Sequence, residues 1–512
     1  MSSLAVTKAP AGPAAQSIKV RGPRVSLADL GWLPTWILTR IYVLAQHMTR
    51  ERHIVGDVNY YFAKAGDALA GQEALVEYPA PVVWLLTGLR IISGDDVDRY
   101  RLLFVCLMAA LDLLVAALLW TRYSRLGAVY WIVFLALVGS LMWYRIDLLA
   151  AVPMLLALLW FGPARWTQGW FEEVHIKRAG HPTFAGGAVA VGAAMKLWPA
   201  LLIFPLLGTS ARGKSRGLGF LIAGGALGLS SLLFAGWSRS ISPLTWQSDR
   251  GLHCESIWAT VPMWRRMFGS QSGDYRVEFS NYNAYEVYGP GVDRLTQWAD
   301  HSMLAVLALA LLFGWLIALG GVGLPGHSRQ NAELKDGDSQ HWHAAVLAVV
   351  ALMLATLVAN KTFSPQYLIW FAGPLAVMVT LRGGRLQQAA QILIAGLGLI
   401  IAGLTRWIYP LHYGEIIGAP TEQATRILVL RNVLVIIAVV VSVILAIVAA
   451  WQVGLAKNAA EPVDSADFDL DIEDKIVPEE PSESSKNDRL DRGKLNDLRQ
   501  KSAARQAPSR RA

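Results

Sequence analysis

Charge is what this sequence has least of. Only 16% of its 512 residues are Asp, Glu, Lys or Arg, against about 25% in an ordinary soluble chain. With 54% hydrophobic residues, that deficit excludes a disordered chain, a fibrous repeat and an ordinary cytosolic enzyme. Cysteine is nearly absent as well. Of the two present, Cys106 lies in an apolar run and Cys254 in a long polar loop, so no disulfide is expected between them. No CxxC pair and no Cys/His cluster points to a metal or haem. No dense carboxylate cluster demands a divalent cation, so metal-independent chemistry with no cofactor is expected.

What the chain does have is a series of apolar runs. They fall near residues 31–48, 101–120, 126–143, 146–162, 183–208, 217–236, 301–323, 342–359, 364–381, 386–408 and 428–452, with a shorter one at 79–93. A bilayer crossing takes roughly 17–25 residues. The expected fold is therefore an all-α polytopic membrane protein with about twelve membrane segments and a lipid bilayer as its surroundings. Its 20 Trp and 15 Tyr suit many membrane–water interfaces. The run at 79–93 is short enough to be interfacial. The run at 183–208 is broken by Lys196-Leu197-Trp198-Pro199, where proline interrupts the helical ladder.

The net charge is +8, and the basic residues sit in short loops. The positive-inside rule explains them better than nucleic acid does. Arg212, Lys214 and Arg216 mark one cytoplasmic loop, and Arg382 and Arg385 another. Residues 1–29 form a basic cytoplasmic lead with no cleavage site, 30–454 the membrane domain, and 455–512 a cytoplasmic tail. That tail is acidic over 461–483 and basic over 486–511, and is expected to be disordered. Both termini are then cytoplasmic. Residues 49–78, 237–300, 360–363 and 409–426 face outside. Between them two arrangements stay open. Arg122, Arg125, Arg165, Lys177 and Arg178 are cytoplasmic if 79–93 is interfacial and 183–208 is a broken pair, and external if 79–93 spans and 183–208 crosses once; the rule favours the first.

So oriented, polar motifs gather on the outer face. Gly56-Asp57-Val58-Asn59-Tyr60 follows the first helix, and Glu77-Tyr78-Pro79 opens the short segment. Tyr144-Arg145-Ile146-Asp147 and Lys196 interrupt apolar runs. Trp246 to Ser256, with Arg250, His253 and Glu255, fills the long loop. Asn360-Lys361 and Ser364-Pro365-Gln366-Tyr367 close the set. Each has a plain structural reading: a loop carboxylate at Asp57, an Arg145–Asp147 ion pair, snorkelling lysines at 196 and 361, a helix start at Tyr78-Pro79, a belt anchor at Gln366-Tyr367. Their convergence on one face argues for a site.

This ordered set resembles the GT-C superfamily of integral-membrane glycosyltransferases, and within it glycosyltransferase family eighty-seven, the actinobacterial polyprenyl-phosphate-sugar-dependent mannosyl- and arabinosyltransferases. The resemblance runs over about residues 30–450. One departure is Ala80, which separates Pro79 from Pro81 where such proteins often carry Tyr-Pro-Pro. The resemblance implies a polyprenyl-phosphate sugar as donor, a glycolipid or polysaccharide as acceptor, and inverting transfer on the extracytoplasmic face of the cell membrane. It places the general base on Asp57. Substrate contacts are then expected from Tyr60, Tyr78, Arg145, Asp147, Lys196, Arg250, His253, Glu255, Lys361, Gln366 and Tyr367. Arg250, His253, Lys196, Lys361 and Arg406 are the candidate cations for the leaving phosphate. Glu255 is expected to hold Arg250 or bind sugar, and Trp246, Trp258 and Tyr367 to offer stacking surfaces. Two rivals remain. A flippase of lipid-linked saccharide would use Asp112 and Lys196 as intramembrane relay groups; a scaffold of an envelope-synthesis complex would dock through the tail. No internal repeat favours the first rival.

Overall fold

The computed structural model describes residues 31–161, 165–167, 173–175, 181–208, 211–269, 272–319 and 337–459. The amino-terminal lead, nearly all of the tail, and Lys177 and Arg178 lie outside the described residues. Among those described, helix dominates, and the strands make only two short hairpins, Arg165–Thr167 with Glu173–His175 and Arg276–Phe279 with Tyr285–Tyr288.

Six helices are long and apolar enough to cross a membrane: Val97–Arg122, Ala211–Asp249, Val292–Ala318, His341–Ala359, Arg385–Leu411 and Glu422–Val453. Four more apolar helices have 14 residues each: Ala80–Ser93, Arg125–Val138, Leu148–Phe161 and Pro182–Met195. At 1.5 Å per residue these are roughly 21 Å long, short of the roughly 30 Å hydrocarbon layer. Local chemistry explains where they stop. Ser124 caps Arg125–Val138 at one end, and Gly139 ends it at φ 78°, ψ −155°. Pro182 starts the next short helix and Lys196, in extended conformation, ends it, with Pro199 just beyond. The long Val97–Arg122 helix is capped by Asp96, whose carboxylate accepts from the Asp98 and Arg99 amides at 2.9 and 3.0 Å.

The helix His341–Ala359 is almost wholly enclosed by protein and packs on Glu422–Ala459. The Ala211–Asp249 helix is its opposite. Leu218, Leu221, Ile222, Leu229, Leu233 and Phe234 are exposed along it, as a lipid-facing helix requires. It meets Pro182–Met195 through Gly186 and Gly219, where a Cβ would strike the carbonyls of Arg216 and Thr183. At Gly236 (φ 80°, ψ 172°) the chain bends, and residues 237–249 run on as a separate polar-aromatic helix.

Ionisable groups inside the bundle are paired. Asp112 accepts from Arg40 Nε and Nη2 at 2.8 and 2.7 Å, from Trp36 Nε1 at 3.0 Å and from Trp131 Nε1 at 2.9 Å. Glu51 accepts from Arg406 Nε at 2.8 Å and from the Ser140 hydroxyl at 2.6 Å. These clusters anchor the first helix and the loop after it to the helices behind.

Candidate functional site

The segments read as external meet at one cavity of about 820 Å³, within the range of ligand pockets. Its walls come from the loop after the first helix, the 141–147 turn, the break at Lys196, residues 243–253, the second hairpin, residues 360–370 and the Tyr409–Tyr413 turn.

Asp57 stands in the first turn of the Gly56–Leu69 helix, where an acidic side chain suits the helix dipole. It is ion-paired with Arg145, whose Nη2 also donates to Tyr409 OH at 3.4 Å. Arg145 therefore does not pair with Asp147, as their spacing suggests. The turn leaves the helical conformation at Arg145 (φ −130°, ψ 149°), and the two side chains find different partners. Asp147 is buried behind the wall. It accepts from Lys196 Nζ at 2.5 Å and from Trp370 Nε1 at 2.6 Å, and so meets the cavity through these two lining residues. The Lys196 ammonium also lies 5.1 and 5.0 Å from the Tyr367 and Trp370 ring centres, close enough for cation–π attraction.

Lys361 lines the same cavity and donates to the Ser248 carbonyl at 2.8 Å, with Asp300 Oδ1 at 3.2 Å. Arg250 is different. Among the described residues it makes no ion pair, and its Nε is buried without a hydrogen-bond partner. It is thus the cavity cation whose charge no carboxylate of the described residues offsets.

Four expectations need correction, at His253, Glu255, Arg406 and Trp258. His253 lines the cavity but is not a cation. Burial first, then the nearby Arg250 and Arg431 charges, push its pKa down to about 3. Its Nδ1 accepts from the Glu255 amide at 3.3 Å, and its own amide donates to the Lys361 carbonyl at 3.0 Å. It is a neutral strut joining two walls. Glu255 holds neither Arg250 nor the cavity. Fully buried, it pairs with Arg431 at 3.1 Å, and Arg431 Nη2 donates to its carbonyl at 2.7 Å. Burial raises the Glu255 carboxyl to about 7, although Arg431 draws it back. Arg406 is likewise absent from the cavity, being engaged by Glu51, and Trp258 does not line it.

Tyr60 and Tyr78 line the wall beside Asp57. Tyr60 OH donates to Glu77 Oε1 at 2.8 Å, and burial, then the Glu77 charge, raise its pKa. The Tyr61 and Tyr78 hydroxyls lie 3.3 Å apart, and burial raises both. Gln366 accepts from the Ser364 hydroxyl at 2.6 Å, and Trp246 packs edge-on against Tyr282 at 5.0 Å. Glu77, read in the sequence only as part of the Glu77-Tyr78-Pro79 motif, joins the lining, and the structure adds Asp300, Tyr282, Asn283, Tyr409 and Tyr413. Nothing in the local sequence marks these five, since each is an ordinary loop or helix-end residue. Among the described residues, no group of three or more His, Cys, Asp or Glu side chains is placed to hold a metal ion.

Compared with known proteins, the chain matches no family model, no curated protein and no solved structure.

Proposed function

We propose that the cavity is the active site of an integral-membrane glycosyltransferase. It moves a sugar, mannose or arabinofuranose, from a polyprenyl phosphate to a hydroxyl of a glycolipid or glycan during cell-envelope synthesis. The observation that carries this reading is the meeting of Asp57 with Arg145, Lys196, Arg250 and Lys361 in one cavity on an apolar bundle. In this reading the cavity opens on the extracytoplasmic face and both termini are cytoplasmic. The bundle is of GT-C type, with about twelve segments when the 14-residue helices count as shortened crossings.

The step is a single displacement. Asp57 takes the proton of the acceptor hydroxyl, and the oxygen bonds to the sugar's anomeric carbon from the face opposite the phosphate. The bond from that carbon to the phosphate oxygen breaks, and its electron pair leaves with the polyprenyl phosphate. Arg145 and the helix start fix the direction of the base. Arg250, free of any carboxylate among the described residues, meets the phosphate, with Lys196 and Lys361 adding positive potential where leaving-group charge grows. The flippase alternative fits less well. Asp112 is held by Arg40 and two indoles, and Lys196 by Asp147, so neither is a loose relay group.

The experiment is turnover by purified protein, offered polyprenyl-phosphate mannose or arabinofuranose with octyl α-mannoside as acceptor. Release of polyprenyl phosphate matched by a new glycoside supports the reading. Movement of the lipid-linked sugar between leaflets without bond formation replaces it with the flippase.

A further inference from the structure

The cavity contains a second carboxylate that the proposed chemistry does not use. Glu77 follows Val76 in the loop before the Ala80–Ser93 helix, and its side chain lines the cavity. One oxygen, Oε1, accepts from Tyr60 OH at 2.8 Å. The other, Oε2, is shielded from solvent and has no hydrogen-bond partner. Among the described residues Glu77 makes no ion pair. A shielded carboxylate oxygen without a donor is destabilising, so native chains rarely keep one without a use.

The loop around Glu77 is held in place from outside. Arg239 Nη2 donates to the carbonyls of Leu75 and Tyr78 at 2.7 and 2.8 Å, and Ser242 Oγ donates to that of Val76 at 2.8 Å. Arg239 Nη1 is used on Ser242 at 2.8 Å. Leu75 is kept at φ 57°, a left-handed conformation that persists for a branched residue only where neighbours enforce it. Three carbonyls around one residue are thus bound by the 237–249 helix. Glu77 itself contributes its side chain to the cavity, with Tyr60 setting its rotation. This is a preorganised hydrogen-bond acceptor. A phosphate is repelled by it, and a free amine is not part of the proposed reaction. The matching group is a hydroxyl.

We infer that Glu77 Oε2 is a sugar-binding point, accepting a hydrogen bond from a hydroxyl of the transferred sugar or of the acceptor sugar. The inference rests on the proposed glycosyl transfer and adds a specificity-determining residue to it. Asp57 removes a proton in that scheme; Glu77 keeps its hydroxyl partner protonated and fixes the orientation of the ring. Tyr60 is its positioning residue.

Purified protein in lipid nanodiscs is titrated with polyprenyl-phosphate mannose and with unglycosylated polyprenyl phosphate, read by tryptophan fluorescence. The variants are Glu77→Gln, which keeps size and fold, and Tyr60→Phe. KM for octyl α-mannoside is measured in parallel. If Glu77 holds the donor sugar, wild-type protein binds the glycosylated lipid more tightly than the bare lipid. Glu77→Gln then loses that preference by about tenfold or more, while binding bare polyprenyl phosphate unchanged. If it holds the acceptor sugar, the preference survives and KM for octyl mannoside rises by a similar factor. Tyr60→Phe moves the same quantity in the same direction, by less. An unchanged lipid preference together with an unchanged KM in Glu77→Gln overturns the inference while leaving glycosyl transfer standing. Failure of wild-type protein to bind either lipid overturns the functional reading, and the inference with it.

Discussion

Replacing Arg431 by methionine removes the cation that holds Glu255 beneath the long outer loop. Both partners are fully buried. Arg431 donates to Glu255 Oε2 at 3.1 Å, to the Glu255 carbonyl at 2.7 Å and to Asn432 Oδ1 at 2.9 Å. Breaking a buried pair by removing one partner costs about 3–5 kcal/mol. Part of that cost depends on pH, and its sign follows from Glu255. Its carboxyl is raised from 4.5 to about 7, so between those values the folded state binds more protons than the unfolded chain. Stability from this group is fully present below 4.5 and falls as pH rises, until about 7, where the folded group ionises too. In Arg431→Met the carboxyl has no counter-charge and stays protonated to higher pH, so the fall continues. The gap between wild type and variant is then nearly constant below pH 6. Above pH 7 it widens by up to about 1.4 kcal/mol per unit for as long as the variant's carboxyl stays protonated. Denaturant unfolding in micelles, followed by tryptophan fluorescence from pH 6 to 9, measures it. Arg431→Met/Glu255→Gln should lose the slope. A gap that stays flat, or a slope that survives in the double variant, refutes the reasoning.

The same unfolding assay checks two further consequences. His253 is held neutral, with its pKa pushed down to about 3 from the ordinary 6.5 of histidine; its contribution is present above 6.5 and lost as pH falls. His253→Asn should therefore lose less stability between pH 6.5 and 5 than wild type, by about 2 kcal/mol, and equal losses contradict the assignment. Gly139→Ala places a Cβ 2.6 Å from Arg406 Nε at a φ of 78°. A loss of about 1–3 kcal/mol or more is expected, and wild-type stability would show that the Glu51–Arg406 cluster is not tightly packed.

Polar residues that interrupt apolar runs were readable in the sequence. Arg145, Lys196 and Lys361 stand out against their surroundings, and the cavity collects all three with Asp57. Their partners were not readable. Arg145 and Asp147 look like a pair by spacing, yet each binds a group brought by a distant segment. Arg431 sits inside an apolar run, the one signal that a buried carboxylate needed it, but nothing local points 176 positions back to Glu255. Asp300 belongs to a stretch already polar, so contrast does not mark it. The segment count was partly legible. Six runs became full-length helices, whereas caps, Gly139 and Pro199 shortened others in ways that mean hydropathy does not resolve.

The proposed scheme turns on Asp57 as the general base of glycosyl transfer. Asp57→Asn keeps size and polarity but cannot take the proton as a carboxylate does. Single-turnover and steady-state transfer from polyprenyl-phosphate sugar by the purified variant is the direct test. With Asp57 as the base, kcat falls by about 10²-fold or more, ~2.7 kcal/mol in the barrier, with donor binding retained. Near-normal turnover by Asp57→Asn would contradict it.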